Sequence, residues 1–323
     1  MKCTNKIVYL LLITSLLCSN LCGCGSATLP LAYDRTASMQ GDTFTDNFAT
    51  PFAADICVAS KNVLENTNVE LESGASGGLF DVNHNKVIYA KNIHERLAPA
   101  SLTKIMTALV ALKHSNTDDM ITCTSNVKIT ESGATLCGLK AGDKLTLNQA
   151  LHALLIHSAN DAGVAIAEHV AGSVEEFSEL MNEEALRIGA TGSHFVNPHG
   201  LTADEHYTTV YDIYLILNQA MQYDVFNEII QMTEYSTIFY DADGNEKEMS
   251  FKSTNLFFQG HYSAPDKITV MGGKTGTTNA AGSCLALVTK DTSGNPYISV
   301  ILKASQRDKL YQEMIDLLEE INN

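Results

Sequence analysis

The sequence predicts an α/β protein of the segregated, α+β kind: an antiparallel sheet built from both ends of the chain, with a helical lobe inserted between them. Three observations lead there. β-prone runs lie near residues 76–90 and 268–303, apolar residues at helical spacing fill the middle, and no segment repeats. Apolar residues at 45% and charged residues at 18% describe a folded chain able to bury a core. The 323 residues suit one large or two modest domains. Because the two β-rich ends are expected to share one sheet, residues 51–323 read as one intertwined unit.

The amino terminus reads as an address. Lys2 and Lys6 precede the apolar run 7–17, the layout of a secretory signal peptide over residues 1–23. That run is short for a membrane span. Leu21-Cys22-Gly23-Cys24 resembles a bacterial lipobox, with Cys22 an unusual residue inside it. The resemblance implies lipidation of Cys24 and attachment to the outer face of the cytoplasmic membrane. Cleavage near Ala27, with a freely secreted product, is the other reading. Residues 24–50, rich in Ser, Thr, Asp, Gly and Ala, read as a flexible tether.

Residues 51–66 suggest a short helix. Ser76–Phe80 and Lys86–Ala90 flank the turn-rich run 81–85 as two strands. Residues 97–112, LAPASLTKIMTALVAL, are apolar nearly all round after Pro99, which marks a buried helix. Residues 118–144 read as an irregular β-rich excursion with pieces at 120–124, 127–130 and 135–139. Helical spacing returns at 145–157, 162–170, 174–188 and 209–222, and Asp241–Asn245 is a turn. The runs 268–274, 283–290 and 297–303 suggest an antiparallel meander. A closing helix carries Leu310, Met314, Leu317 and Ile321 on one stripe, and Ser305 with Asp308 looks like its cap.

A formal charge of -16 argues against nucleic acid or another polyanion as partner. Four of the eight cysteines fall in the leader. Cys57, Cys123, Cys137 and Cys284 show no C-x-x-C spacing. Pairing, with Cys123 and Cys137 nearest in sequence, stays open beside buried free thiols. His194, His199 and His206 lack the spacing of helix-borne metal ligands, so loop histidines are expected, with no metal or cofactor.

Ser101 and Lys104 stand three apart, hence on one face of the buried helix. Burial lowers a lysine's pKa and frees a neutral amine to take a proton from the adjacent hydroxyl. Ser101 is thus a candidate nucleophile with Lys104 as its base. Ser158 and Asn160 bring a hydroxyl and an amide to a turn between helices. Met271–Thr278 ends a β-prone run, where its glycines remove bulk beside the backbone, and Lys274 and Thr275 suit an anionic group.

In this order, Ser101-x-x-Lys104, Ser158-x-Asn160 and Lys274-Thr275-Gly276 resemble the signature set of penicillin-binding proteins and serine β-lactamases. PASLTKIMTAL, HSANDAGVAIAEHVAG, FVNPHGL and GGKTGTTNAAGSCLA look like the low-molecular-weight D-alanyl-D-alanine carboxypeptidases of serine peptidase family S11, from about residue 55 onward. The resemblance implies a DD-peptidase/β-lactamase-like fold and an acyl-enzyme on Ser101. It implies a peptidoglycan stem peptide ending in D-Ala-D-Ala as substrate, and β-lactams as covalent inhibitors. By family position, Thr277 shares the oxyanion site with Ser101, Thr275 binds the terminal carboxylate, and Arg307 lies near it. A class A β-lactamase would need an E-x-x-L-N loop, which is absent between Asn160 and Lys274. An endopeptidase would use the same residues, and a lipid-anchored sensor acylated without turnover is a further reading. Relatives often carry a further β-rich domain and an amphipathic helix beyond the catalytic unit. Here the chain ends after that unit, so anchoring is expected to rest on Cys24.

Overall fold

Strands from the two ends of the chain do share one sheet. In the computed structural model, which describes residues 53, 55–65 and 67–322, a five-stranded antiparallel sheet has the order β2-β1-β9-β8-β7. Its members are β1 (Ser76–Asp81), β2 (Lys86–Lys91), β7 (Thr269–Thr278), β8 (Gly282–Lys290) and β9 (Pro296–Ala304). A second sheet has the order β3-β4-β5-β6, from β3 (Met120–Thr122), β4 (Lys144–Thr146), β5 (Glu234–Tyr240) and β6 (Glu246–Lys252). The helices are α1 (Thr103–His114), α2 (Leu147–His152), α3 (Asn160–Ala171), α4 (Val174–Arg187), α5 (Val210–Ala220), α6 (Asp224–Ile230) and α7 (Arg307–Glu319). The expected signal segment, Cys24 and the tether lie outside the described residues.

Period-two alternation explains why the main sheet reads as almost continuously apolar. Leu79, Leu285, Leu287 and Ile301 pack under α7 with Leu310, Met314 and Leu317. Their neighbours Phe80, Ala286, Val300 and Leu302 face the opposite way, into a core shared with α1 and α5. Covered on both faces, β1 buries all six of its residues. Nine of the twelve residues of α1 are buried, with α3 and α5 against it. Burial of Ile105, Met106 and Leu109, at about 1.5–3 kcal/mol each, fixes the helix that carries Lys104.

Several sequence expectations are corrected. The described residues of the segment 51–66 carry no helix: Val63 pairs with Ala90 through two backbone bonds of 2.8 and 3.0 Å, and Tyr214 Oη accepts from Cys57 N–H. Tertiary partners there outweigh local propensity. Residues 127–130 and 135–139 are not strands. A 3₁₀ turn covers Ser125–Val127, and the Asp161 carboxylate takes the N–H groups of Cys137, Gly138 and Leu139 that a ladder would use. Ser305 does not cap α7. Gln306 holds that position, while Ser305 donates its N–H and hydroxyl to Glu72. The β5–β6 hairpin was not foreseen. Most of its residues are exposed or half-buried, so strong alternation is missing. The helix expected over 145–157 starts at Leu147, behind a Thr146–Gln149 capping box, and widens into a π turn over Ala153–His157. Cys57, Cys123, Cys137 and Cys284 are free thiols.

The loop 196–200 is strapped to α1. Thr107 Oγ1 donates to Pro198 O at 2.6 Å, and Lys104 Nζ to His199 O at 2.6 Å. A Cβ on Gly200 would stand 1.8 Å from Ala100 O, at a φ of +85° that only glycine adopts freely. We predict that Gly200→Ala costs more than about 2 kcal/mol in urea unfolding. Gly189→Ala, at φ +83° with open space around it, costs about 1 kcal/mol. Equal losses would refute the close-approach explanation.

Candidate active site

Ser101 and Lys104 meet as their spacing requires. Ser101 lies in a 3₁₀ turn, Ala100–Leu102, that leads into α1, and Lys104 is the second residue of that helix. The Lys104 side chain is 0% exposed. Its Nζ lies 2.9 Å from Ser101 Oγ, 2.6 Å from Asn160 Oδ1 and 2.6 Å from His199 O. Burial, reinforced by the Lys274 charge and opposed by Asp161, holds this amine well below the ordinary lysine range. A neutral amine has two N–H bonds and one lone pair. The Asn160 and His199 oxygens only accept, so they take both N–H bonds, and the lone pair faces the one partner able to donate, the Ser101 hydroxyl.

Ser158 is delivered by the π turn. It ends that turn in the left-handed region, φ 65° and ψ 32°, a conformation costing about 1–2 kcal/mol for a non-glycine residue. Ala159 N–H bonds back to Ala153 O, and Asn160 N–H to Thr135 O at 2.8 Å, which fixes Asn160 at the start of α3. Lys274, 1% exposed on β7, donates to Ser158 Oγ and to Thr275 O, both at 2.9 Å. Burial lowers it to about 7.

One cleft is lined by Ser101, Ser158, Thr275, Gly276, Thr277 and Arg307. Its floor is β7, the edge strand of the main sheet. The glycines of this strand divide the work differently from the sequence expectation. A Cβ on Gly272 would meet Ile230 O at 2.4 Å, and one on Gly273 would meet Ala286 O at 2.1 Å, so those two serve internal packing. Gly276 is the one that opens the cleft, since its Cβ would sit 2.9 Å from Ser101 N.

Sequence reasoning missed Thr254, whose Oγ1 lies 2.7 Å from Thr275 Oγ1, and Thr135, Gln259 and Tyr311, which also line the cleft. Nothing local marks them, because each becomes relevant only through the fold. The main-chain oxygen of His199 was missed too, although its ring makes the expected local bond, accepting from Leu201 N–H at 3.2 Å.

The pattern of Peptidase_S11, the D-alanyl-D-alanine carboxypeptidase family, matches residues 63–306. The D-alanyl-D-alanine carboxypeptidase DacF of Bacillus subtilis is 33% identical over 251 residues, covering 75% of this chain and 61% of that protein. DacC of Escherichia coli, of the same description, is 31% identical over 280 residues, covering 84% and 64%. This chain therefore spans about three fifths of the length of these curated relatives. The crystal structure of the Streptomyces K15 DD-transpeptidase superposes with a TM-score of 0.69 at 25% identity, covering 78% of this chain and 98% of that one.

The two lysines are electrically coupled, which gives a signed expectation. Removing one cation favours protonation of the other, so Lys274→Met should raise the Lys104 pKa, read from the Lys104 Cε shift in a ¹³C-lysine titration. Because burial lowers Lys274 from 10.5 to about 7, the unfolded chain binds more protons between those values. Wild-type stability should accordingly gain a rising contribution from pH 7 to 10.5 that the variant lacks. An unmoved Lys104 titration would refute the coupling.

Proposed function

The chain belongs to the D-alanyl-D-alanine carboxypeptidase family S11, and from that membership we propose that it removes the terminal D-alanine from peptidoglycan stem peptides through an acyl-enzyme on Ser101. The observation that carries this reading is the coordination of the Lys104 amine, which leaves its lone pair for the Ser101 hydroxyl.

Ser101 Oγ attacks the carbonyl carbon between the two D-alanines as its proton passes to Lys104 Nζ. The oxyanion receives the N–H groups of Ser101 and Thr277. As the C–N bond breaks, Ser158 gives its proton to the leaving amine and regains one from the lysine pair, while Asn160 keeps Lys104 and the substrate amide in line. D-Alanine departs. Water then attacks the ester, transfers a proton to Lys104, and returns the hydroxyl to Ser101. The peptide lies along the open edge of β7, and its terminal carboxylate meets Thr275 and Arg307. β-Lactams acylate Ser101 in place of substrate.

We also propose export and anchoring through lipidated Cys24. The support is Leu21–Cys24 in the sequence; among the described residues no helix is long and apolar enough to cross a membrane. Cys24→Ala should abolish incorporation of labelled palmitate and release the protein from membranes. Label retained at wild-type level would favour another mode of attachment.

With a defined pentapeptide, mass spectrometry should show loss of a single alanine. Cleavage confined to cross-linked dimers would favour an endopeptidase, and rapid penicillin turnover a β-lactamase. Ser101→Ala should eliminate both alanine release and labelling by a fluorescent penicillin. Lys104→Met should keep the fold and lower acylation by about 10²–10⁴-fold. Label persisting in the Ser101 variant would exclude this nucleophile.

A further inference from the structure

Ala100, the residue before the nucleophile, holds φ +47° without being glycine, so its surroundings must impose that conformation. The Ala100 carbonyl accepts the Thr103 backbone N–H in the 3₁₀ turn, and a hydrogen-bonded chain of side chains adds to that constraint. Thr103 Oγ1 donates to Ala100 O at 2.9 Å. Thr103 Oγ1 also lies 2.9 Å from His206 Nε2. On the far side of that ring, Nδ1 accepts from Val196 N–H at 3.0 Å. Acceptance at Nδ1 fixes the tautomer: the proton is on Nε2, and His206 donates to Thr103, whose own proton goes on to Ala100. Burial, with His194 nearby, lowers His206 to about 4, so the neutral ring persists at neutral pH.

The Ala100–Ser101 peptide is planar and trans, so its C=O and N–H point in opposite directions. Whatever fixes the oxygen therefore aims the Ser101 N–H. That nitrogen lies beside Gly276, where a Cβ would come within 2.9 Å. We propose that His206 and Thr103 are positioning residues that hold the Ser101 N–H, through the Ala100 carbonyl, toward the oxyanion. The proposal rests on the acyl-enzyme reading given above and adds two residues that the three motifs do not specify: Thr103, at an open position within the first, and His206, outside all three.

Three side chains separate this role from general support. Asparagine places its amide near Nδ1 and cannot reach Thr103; glutamine places an N–H donor near Nε2; valine at 103 keeps the shape of threonine without its hydroxyl. His206→Asn and Thr103→Val should each lower kcat for D-alanine release by about 10–100-fold with KM within about threefold. His206→Gln should recover to within about fivefold of wild type, and Thr103→Ser likewise. His206→Asn combined with Thr103→Val should be no slower than Thr103→Val alone, since both break one chain. Thermal unfolding of every variant reports the fold; should the His206→Asn protein not fold, the Thr103 pair carries the comparison.

The proposal is overturned if His206→Asn or Thr103→Val turns over at the wild-type rate. It is equally overturned if His206→Gln falls as far as His206→Asn, or if the double variant loses the product of the two single losses. Penicillin labelling of Ser101 in the wild type is scored separately, so failure of the acyl-enzyme reading is distinguishable from failure of the positioning chain.

Discussion

A primary amine with no access to water constrains everything around it. Lys104 Nζ needs partners for its hydrogens, and those partners come from distant parts of the chain: the Asn160 side chain at the start of α3 and the His199 main chain in the loop 196–200. Both are oxygens that cannot donate. Had either been a hydroxyl, the lone pair would have had a choice of proton, and Ser101 would have lost its privileged position. The burial that would destabilise an ammonium thus favours a neutral amine with its lone pair turned toward Ser101, as the proposed base requires. Its surroundings keep this nitrogen dry: α1 is apolar nearly all round, and the Pro198 and His199 carbonyls are pinned against its Thr107 and Lys104.

The two layers contribute different things. The sheet provides a flat, open strand edge, which suits an extended peptide and has little chemistry of its own. The helical lobe provides the reactive groups, and it does so from element ends rather than interiors: Ser101 before α1, Ser158 after a π turn, Asn160 at the first position of α3. Element ends are where backbone strain is tolerated. Ala100 and Ser158, both non-glycine residues at positive φ, stand at two of these ends.

Legibility in the sequence follows the same division. The main sheet was readable because β7, β8 and β9 run to nine or ten residues and every strand but β1 carries Val, Ile or Thr. α1 was readable because it is apolar nearly all round. Of the second sheet only β3 was readable, within the piece 120–124, since β4 has three residues and the β5–β6 hairpin is largely exposed. The three motifs were visible as residue types at fixed spacings, and the fold brings all of them to one cleft. What stayed hidden is whatever acts through the main chain or through a fold-dependent neighbour. The His199 carbonyl, Thr254 beside Thr275 and the Asp161 carboxylate holding residues 137–139 have no local sign. A carbonyl is present at every position, so only the fold can single one out. The glycines of β7 teach a related point. Sequence shows that bulk is excluded, yet Gly273 excludes it for the sake of Ala286 and Gly276 for the sake of the cleft.

The two buried lysines have the same side chain and opposite tasks, and their partners decide which is which. Two ammonium groups sharing a dry cavity repel, so the pair readily holds one proton and resists a second. Burial depresses both amines, Lys274 to about 7, and the Lys274 charge depresses Lys104 in addition. With the charge on Lys274, its N–H bonds point at Thr275 O and Ser158 Oγ. One lone pair of Ser158 is then occupied by a donor, and the hydroxyl must direct its own hydrogen elsewhere, which leaves it free to face a leaving amine. Lys104 accepts from one serine while Lys274 obliges the other to donate. Interchanging the two environments would put the charged amine against Ser101 and the neutral one against Ser158, and neither serine could then play the part proposed for it.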